Sequence, residues 1–320
     1  MKINVLALDG VFDTGLATVL DAFAIANDLA AMSGGESPRF DVTVTGTRRR
    51  VRTALGLGVP VEAVSTRNAP DCVIVPAIGC KMPAPLELAL TRPDVRDGLA
   101  TLRAWADRGA SLAAACVGTF VLAEAGLLDG EEATTTWWLA PLFRKRYPDV
   151  KLDESRMVVR SGTTVTAGAA LSHIDLALAL IRQTSPELAS LVANYLVIDA
   201  RPSQTAYAIS DHLIHADPLV ERFERWARRR LDHGFSLDEA ALALATSKRT
   251  LARRLKDTLG KTPLSYFQDL RVERAVHLLK TSDHNIDRIA TMVGYADGVT
   301  LRTLLRRRLG RGVRELRANG

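Results

Sequence analysis

Apolar positions in the first half of the chain alternate between two rhythms. Residues 2–8 read as an apolar strand, 16–31 repeat apolar side chains at helical spacing, and 40–46 and 71–76 are again short apolar runs. Residues 95–108 carry Leu99, Leu102 and Trp105 at helical intervals, 111–115 form a short strand, and 118–125 open another helix. Residues 158–167, with a turn at Ser161-Gly162, and the helix 174–182 complete the series. This alternation predicts a parallel sheet covered by helices. From Pro218 onwards the rhythm is helical, with breaks at His233-Gly234, Gly260-Lys261, Ser282-Asp283 and Gly310. Between the two styles, Pro186, Pro202 and Pro218 surround one apolar helix, 188–198, which reads as part of a connector and as a candidate dimer contact. The pattern predicts an α/β domain over 1–182, a connector over 183–216 and an all-α domain over 217–320, which suits a length of 320 residues.

The helical part repeats itself weakly. Ala241, a break at Ala245-Thr246-Ser247 and Leu251 are matched by Ala290, a break at Gly294-Tyr295 and Leu301, the second break being one residue longer. Each copy is a helix, a tight turn and a second helix, the form of a helix-turn-helix unit. Charge sharpens the picture. The net charge is +6, yet residues 217–320 alone hold 22 Lys and Arg against 13 Asp and Glu, so the positive charge lies in this segment and suits a polyanion. In the second helix of the first copy, Leu251 and Leu255 face inward and leave Arg249, Arg253 and Lys256 on another face. In the second copy Leu301, Leu305 and Leu309 form the apolar stripe, with Arg302, Arg306, Thr300 and Thr303 beside it. One such helix is ordinarily a solvated basic face. Two in register on a basic segment point to helices that enter a major groove of double-stranded DNA.

The run 246–255, then Gly260-Lys261-Thr262-Pro263, the run 270–275, Ile289-Ala290 and Gly294-Tyr295 resemble the AraC-type DNA-binding domain, over about 218–316. The resemblance implies two helix-turn-helix units joined by a long helix, here 264–280, reading successive grooves. It places Arg249, Ala252 and Arg253 at the base-facing positions of the first reading helix and Val299, Arg302 and Thr303 at those of the second. Ser247, Lys248, Lys256, Thr300 and Arg306 complete the candidate DNA contacts. The sequence departs from the family at Leu301 and Leu305, where Phe is usual, and at Val313, where Pro is usual.

Three cysteines, Cys72, Cys80 and Cys116, in no C-x-x-C spacing, argue against a disulfide framework or structural zinc. Cys116 follows the strand 111–115 and precedes a helix. A side chain at that corner sits at the carboxyl edge of a parallel sheet, where ligands bind, and helix amides favour a thiolate. The spacing is equally that of a cysteine that merely packs. Together with Ala125-Gly126-Leu127-Leu128-Asp129-Gly130 and Ala133-Thr134-Thr135-Thr136-Trp137, this order resembles the ThiJ/PfpI branch of the class I glutamine amidotransferase-like fold over about 1–182. With the AraC-type tail, the chain is similar to the GlxA family of transcriptional regulators. The resemblance implies a pocket with Asp13, Gly15, Gly79, Cys116, Val117, Thr136 and Trp137 as candidate lining. Catalytic relatives pair the Cys with a His and an acid. Here Thr136 stands at the His position and Gly15 at the acid position, with Asp13 two residues off, so no catalytic residue is expected. His173, at a helix start, is a candidate to reach the site but reads more readily as structural or exposed, and His212 and His215 lack further metal ligands nearby.

The resulting expectation is a transcription regulator that binds a promoter or operator and responds to a small-molecule effector or forms a homodimer through its first domain, with RNA polymerase as a partner if it activates. No cofactor or metal is expected. The absence of an apolar run of about 18 residues and the early Asp9 predict a cytoplasmic protein with no membrane segment. The alternative is a Cys-dependent hydrolase or glyoxalase-like enzyme using Cys116.

Overall fold

The computed structural model describes residues 1–32, 39–199, 201, 203, 204, 217–309 and 312–318. His212, His215, Pro202 and the break at Gly310 lie outside these. The chain divides into two compact units, Met1–Gln204 and Thr205–Gly320.

The first unit is a sheet between two helical layers. Its strands are β1 (Lys2–Leu6), β2 (Asp41–Gly46), β5 (Glu62–Ala63), β6 (Cys72–Val75), β7 (Ser111–Ala115), β10 (Val158–Ser161) and β11 (Thr164–Ala167). Their order across the sheet is β10-β11-β7-β6-β1-β2-β5, and every neighbouring pair is parallel except β10 with β11. Short two-residue pairs, β3 (Val51–Arg52) with β4 (Gly58–Val59) and β8 (Glu132–Ala133) with β9 (Lys151–Leu152), lie outside it.

Both faces of the sheet are apolar because both are covered. Cys72, Ile74, Ala113 and Ala115 point into one core, with α1 (Asp13–Met32), α6 (His173–Thr184) and α7 (Pro186–Tyr195). Val73, Val75, Leu112 and Ala114 point into the other, with α2 (Pro83–Leu90), α3 (Pro93–Ala106), α4 (Gly118–Glu124) and α5 (Ala140–Arg146). By length and composition alone α1 passes as long and apolar enough to cross a membrane. Here it is a core helix, with Leu16, Val19, Phe23 and Ala26 buried and Asp21 and Asp28 exposed.

The helix expected in the connector belongs to this unit instead. Ser185 caps α7 by accepting from the Leu188 N–H, Pro186 takes the first turn, and Leu188, Ala189 and Val192 are buried in the core shared with α1 and α6.

The second unit is helical: α8 (Pro218–Arg228), α9 (Leu237–Ala243), α10 (Lys248–Leu259), α11 (Pro263–Thr281), α12 (Ile286–Met292), α13 (Gly298–Leu309) and α14 (Val313–Ala318). Side-chain caps fix where six of them begin. Asp217, Ser236, Ser247, Thr262, Asn285 and Asp297 each accept from an N–H in the first turn. The repeat is real in three dimensions. α9-turn-α10 and α12-turn-α13 are two helix-turn-helix units, and each turn holds a left-handed residue, Ala245 at φ 50° and Gly294 at φ 76°. Leu251 and Leu255 in one, and Leu301 and Leu305 in the other, are fully buried. Leucine therefore fills the second core at the positions where phenylalanine is usual.

Candidate functional site

In the first unit the chain makes a sharp corner between β7 and α4. Cys116 takes φ 55°, a left-handed conformation that costs a non-glycine residue about 1–2 kcal/mol. The corner is tight because α4 starts hard against β6, where a Cβ on Gly118 would run into the carbonyls of Val75 and Pro76. Backbone bonds hold it: the Cys116 N–H donates to Ala167 O at 2.9 Å, and Cys116 O accepts from the Thr135 hydroxyl at 2.7 Å. Cys116 thus sits at the carboxyl edge of the sheet, as expected.

Its electrostatics favour the packed cysteine over the reactive one. The residue is only 4% exposed, and burial pushes the thiol pKa up to about 12, although the Val117 N–H and the Thr136 hydroxyl beside it pull the other way. Desolvation outweighs the helix-start amides, so the group is a thiol, not a thiolate, near neutral pH.

His173 is the residue whose place the sequence did not reveal. It is fully buried, Nδ1–H donates to Ala170 O at 2.6 Å, and Nε2 accepts from the Ala77 N–H at 3.1 Å. Burial lowers its pKa to about 4, so the ring is neutral with both nitrogens engaged by backbone. A Cβ added to Gly15 would lie 2.6 Å from His173 Nε2, so the imidazole fills the space a side chain at position 15 would need. Gly15→Ala is accordingly expected to cost about 1–2 kcal/mol by overpacking, and less in a His173→Ala background, as measured by a double-mutant cycle of denaturant midpoints.

The other candidate lining residues are placed as follows. Asp13 opens α1; one carboxylate oxygen accepts from the Leu55 N–H at 3.1 Å, and the other is buried without a partner among the described residues. Gly79 donates to Gly10 O at 2.8 Å and lies against Ala54. Val117 and Thr136 are buried, and Trp137 meets Trp138 edge-on at 5.4 Å.

Sequence reasoning missed Gln204 altogether. Its side chain is fully buried, with Nε2 donating to Thr135 O at 2.8 Å and Thr134 Oγ1 at 3.3 Å in space left open by Gly168. Thr135 in turn holds Cys116. A lone glutamine among prolines carries no periodic signal that could have announced this.

In the second unit, α10 turns Leu251 and Leu255 inward and leaves Arg249 and Arg253 exposed, without a protein partner among the described residues. The other candidates near them are tied locally. Ser247 caps the helix, Lys248 pairs with Asp238 at 2.8 Å, and Lys256 Nζ donates to Gly260 O at 3.1 Å. Ala252 is half-buried. On α13, Val299, Arg302, Thr303 and Arg306 are exposed, while the hydroxyls of Thr300 and Thr303 bond to Asp297 and Val299 O. Among the described residues no group of His, Cys, Asp and Glu could hold a metal ion.

Known proteins share both halves. The model of the DJ-1/PfpI family matches residues 1–183. The chain belongs to that family. A helix-turn-helix domain matches residues 240–319, so the DJ-1/PfpI domain is followed by a helix-turn-helix domain of the AraC type. Over 300 residues the chain is 28% identical to the HTH-type transcriptional regulator GbdR of Pseudomonas aeruginosa, covering 92% of this chain and 78% of that protein. Over 103 residues it is 36% identical to the HTH-type transcriptional activator RhaS of Escherichia fergusonii, covering 32% of this chain and 37% of that one. Among solved structures, an AraC family transcriptional regulator from Pseudomonas putida aligns with a TM-score of 0.51 at 21% identity, covering 61% of this chain and 98% of the other. A ThiJ/PfpI family protein from Pseudomonas syringae aligns with a TM-score of 0.53 at 17% identity, covering 76% and 90%. These structures share the fold of the DJ-1/PfpI domain. Within it, Cys116 stands at the corner between β7 and α4 with the Thr136 hydroxyl beside it, and His173 is packed over Gly15.

Proposed function

We propose that this chain is a sequence-specific transcription regulator whose helices α10 and α13 read successive major grooves of a promoter or operator, while its DJ-1/PfpI unit binds a small-molecule effector or pairs two copies and does not catalyse. The duplicated reading helix carries the proposal. Two copies of one fold element present outward arginines over fully buried leucine pairs, in a segment whose net charge is +9. Kinship with regulators along most of the chain agrees with it. The protein acts in the cytoplasm without a cofactor, and RNA polymerase is its further partner if it activates. Pairing of copies is supported by Leu191 and Tyr195, one turn apart and exposed on α7.

The test is selection of binding sites from random duplexes, followed by titration of variants on the selected site and on scrambled DNA. Arg253→Ala is expected to cost about 1–3 kcal/mol on the selected site and to relax preference at one or two base pairs. An arginine that meets only phosphate behaves differently: its loss weakens both DNAs alike and lowers the salt slope by about one, the control that Arg306→Ala provides. Equal proportional losses for Arg249, Arg253 and Arg302 on both DNAs would reduce the reading faces to a cationic surface.

The enzyme reading has one observation in its favour, the strained corner at Cys116. Opposing it are a protonated thiol, a hydroxyl at Thr136 and a neutral His173 committed to backbone. Glyoxal consumption and ester hydrolysis by the full chain are expected at background, unchanged in Cys116→Ser. Turnover that depends on Cys116 would sink the non-catalytic reading.

A further inference from the structure

The second unit rests on two hydrophobic cores, one for each helix-turn-helix, and the changeover falls within one turn of α11. Leu270 belongs to the core beneath α10, and Val272 to the core beneath α13. Arg271 lies between them, buried, and its guanidinium reaches both halves. Nε donates to Leu231 O at 2.8 Å and Nη2 to His233 O, fastening the loop that enters the first helix-turn-helix unit. The same group lies over the rings of Phe267, at 4.9 Å, and Tyr295, at 5.1 Å. Tyr295 is in the turn that launches α13, next to Gly294, whose added Cβ would run into the Arg271 guanidinium. A second tie runs from α11 to α13, where Asp269 accepts from Arg308 at 2.7 Å.

Apolar contact is non-directional and lets two cores slide. A planar fork bonded to two carbonyls and stacked on two rings has one geometry. We infer that Arg271 sets the distance and phase between the two reading helices, and so determines the base-pair spacing that the chain accepts between its two half-sites. The inference rests on the reading that α10 and α13 both enter DNA. Two linked modules gain avidity only when both can engage at once, and a stiff link makes that gain depend sharply on the span. One inserted base pair moves the second half-site by about 3.4 Å and about a tenth of a turn. A pinned pair of helices rejects such a site, and a loosened pair tolerates it.

Arg271 is a positioning residue, so the test must separate spacing from general weakening. The full-length chain is titrated on its selected duplex, on the same duplex with one base pair inserted between the half-sites, and on duplexes with either half-site scrambled. The wild type is expected to lose about tenfold or more on insertion. Arg271→Met is expected to bind the intact site about tenfold more weakly, to lose less than about threefold on insertion, and to match the wild type on each single half-site. Loss of equal proportion on all four duplexes, with the insertion penalty intact, overturns the inference. If Arg271→Met fails to fold, Tyr295→Leu keeps both carbonyl bonds and removes one stacking ring. It is expected to cut the insertion penalty by about threefold, and an unchanged penalty overturns the inference equally. Selection of no sequence, or of a single half-site, would overturn the regulator reading and this inference with it. A bipartite site whose penalty survives the substitution overturns the inference alone.

Discussion

Between pH 6.5 and 4, His173 is expected to withdraw about 3 kcal/mol from the stability of the first unit. Its pKa in the folded chain is lowered to about 4 from an ordinary 6.5, because burial disfavours the imidazolium. In that window the unfolded chain takes up a proton that the folded one refuses. The contribution is therefore fully present above pH 6.5 and is lost as the pH falls towards 4. Asp175 acts in the opposite sense, since burial raises its carboxyl pKa despite Arg201 and folding then favours its proton. The His173 part is isolated by difference. Denaturant unfolding of the wild type and of His173→Gln, whose amide can donate and accept but does not titrate, should show a flatter pH slope for the variant. Parallel slopes would mean that the imidazole is not held neutral.

Leu255→Ala is expected to cost about 2–5 kcal/mol, because cutting a fully buried leucine back to alanine leaves a cavity where three carbons were, and to abolish selective DNA binding. That is a large share of the stability of a domain this size. Because the second unit has two cores, the damage should be local. Amide hydrogen exchange is expected to speed up in α8, α9 and α10 and much less in α12 and α13, with Leu305→Ala giving the reverse. Uniform acceleration throughout would show that the two cores open as one.

Much of this architecture was legible because local rules and tertiary demands agree. Residues 111–115 are small and apolar, both faces of β7 are covered, and the strand falls where the pattern placed it. The six capped helices of the second unit begin at Ser, Thr, Asn or Asp, a signal written in single residues. The long helix expected over 264–280 spans Pro263–Thr281. Misreadings arose where meaning depended on a distant residue. Prolines around α7 suggested a connector, but Pro186 is a helix start, and only the apolar surface of α1 and α6 shows where that helix belongs. Gly15 reads as a missing acid and His173 as an ordinary helix-start residue until the fold puts one against the other. A glycine records empty space, and sequence does not say what fills it. The choice between a reactive and a packed Cys116 stayed open in the sequence for a related reason. Helix-start amides can be inferred from the chain order, whereas the depth of burial that overrides them cannot.

The order of strands also bears on how copies of this chain can associate. The sheet ends on one side at β5, whose two residues present very little unpaired backbone, and on the other at β10, a four-residue strand with Arg160 exposed on it. Short edges and an edge charge are what natural sheets use to discourage edge-to-edge growth and aggregation. A neighbour added along β5 or β10 would gain few main-chain bonds. If copies of this chain pair as proposed, these margins direct the contact to side-chain surfaces, where a single substitution can tune it, and away from backbone pairing, where almost any sequence could join.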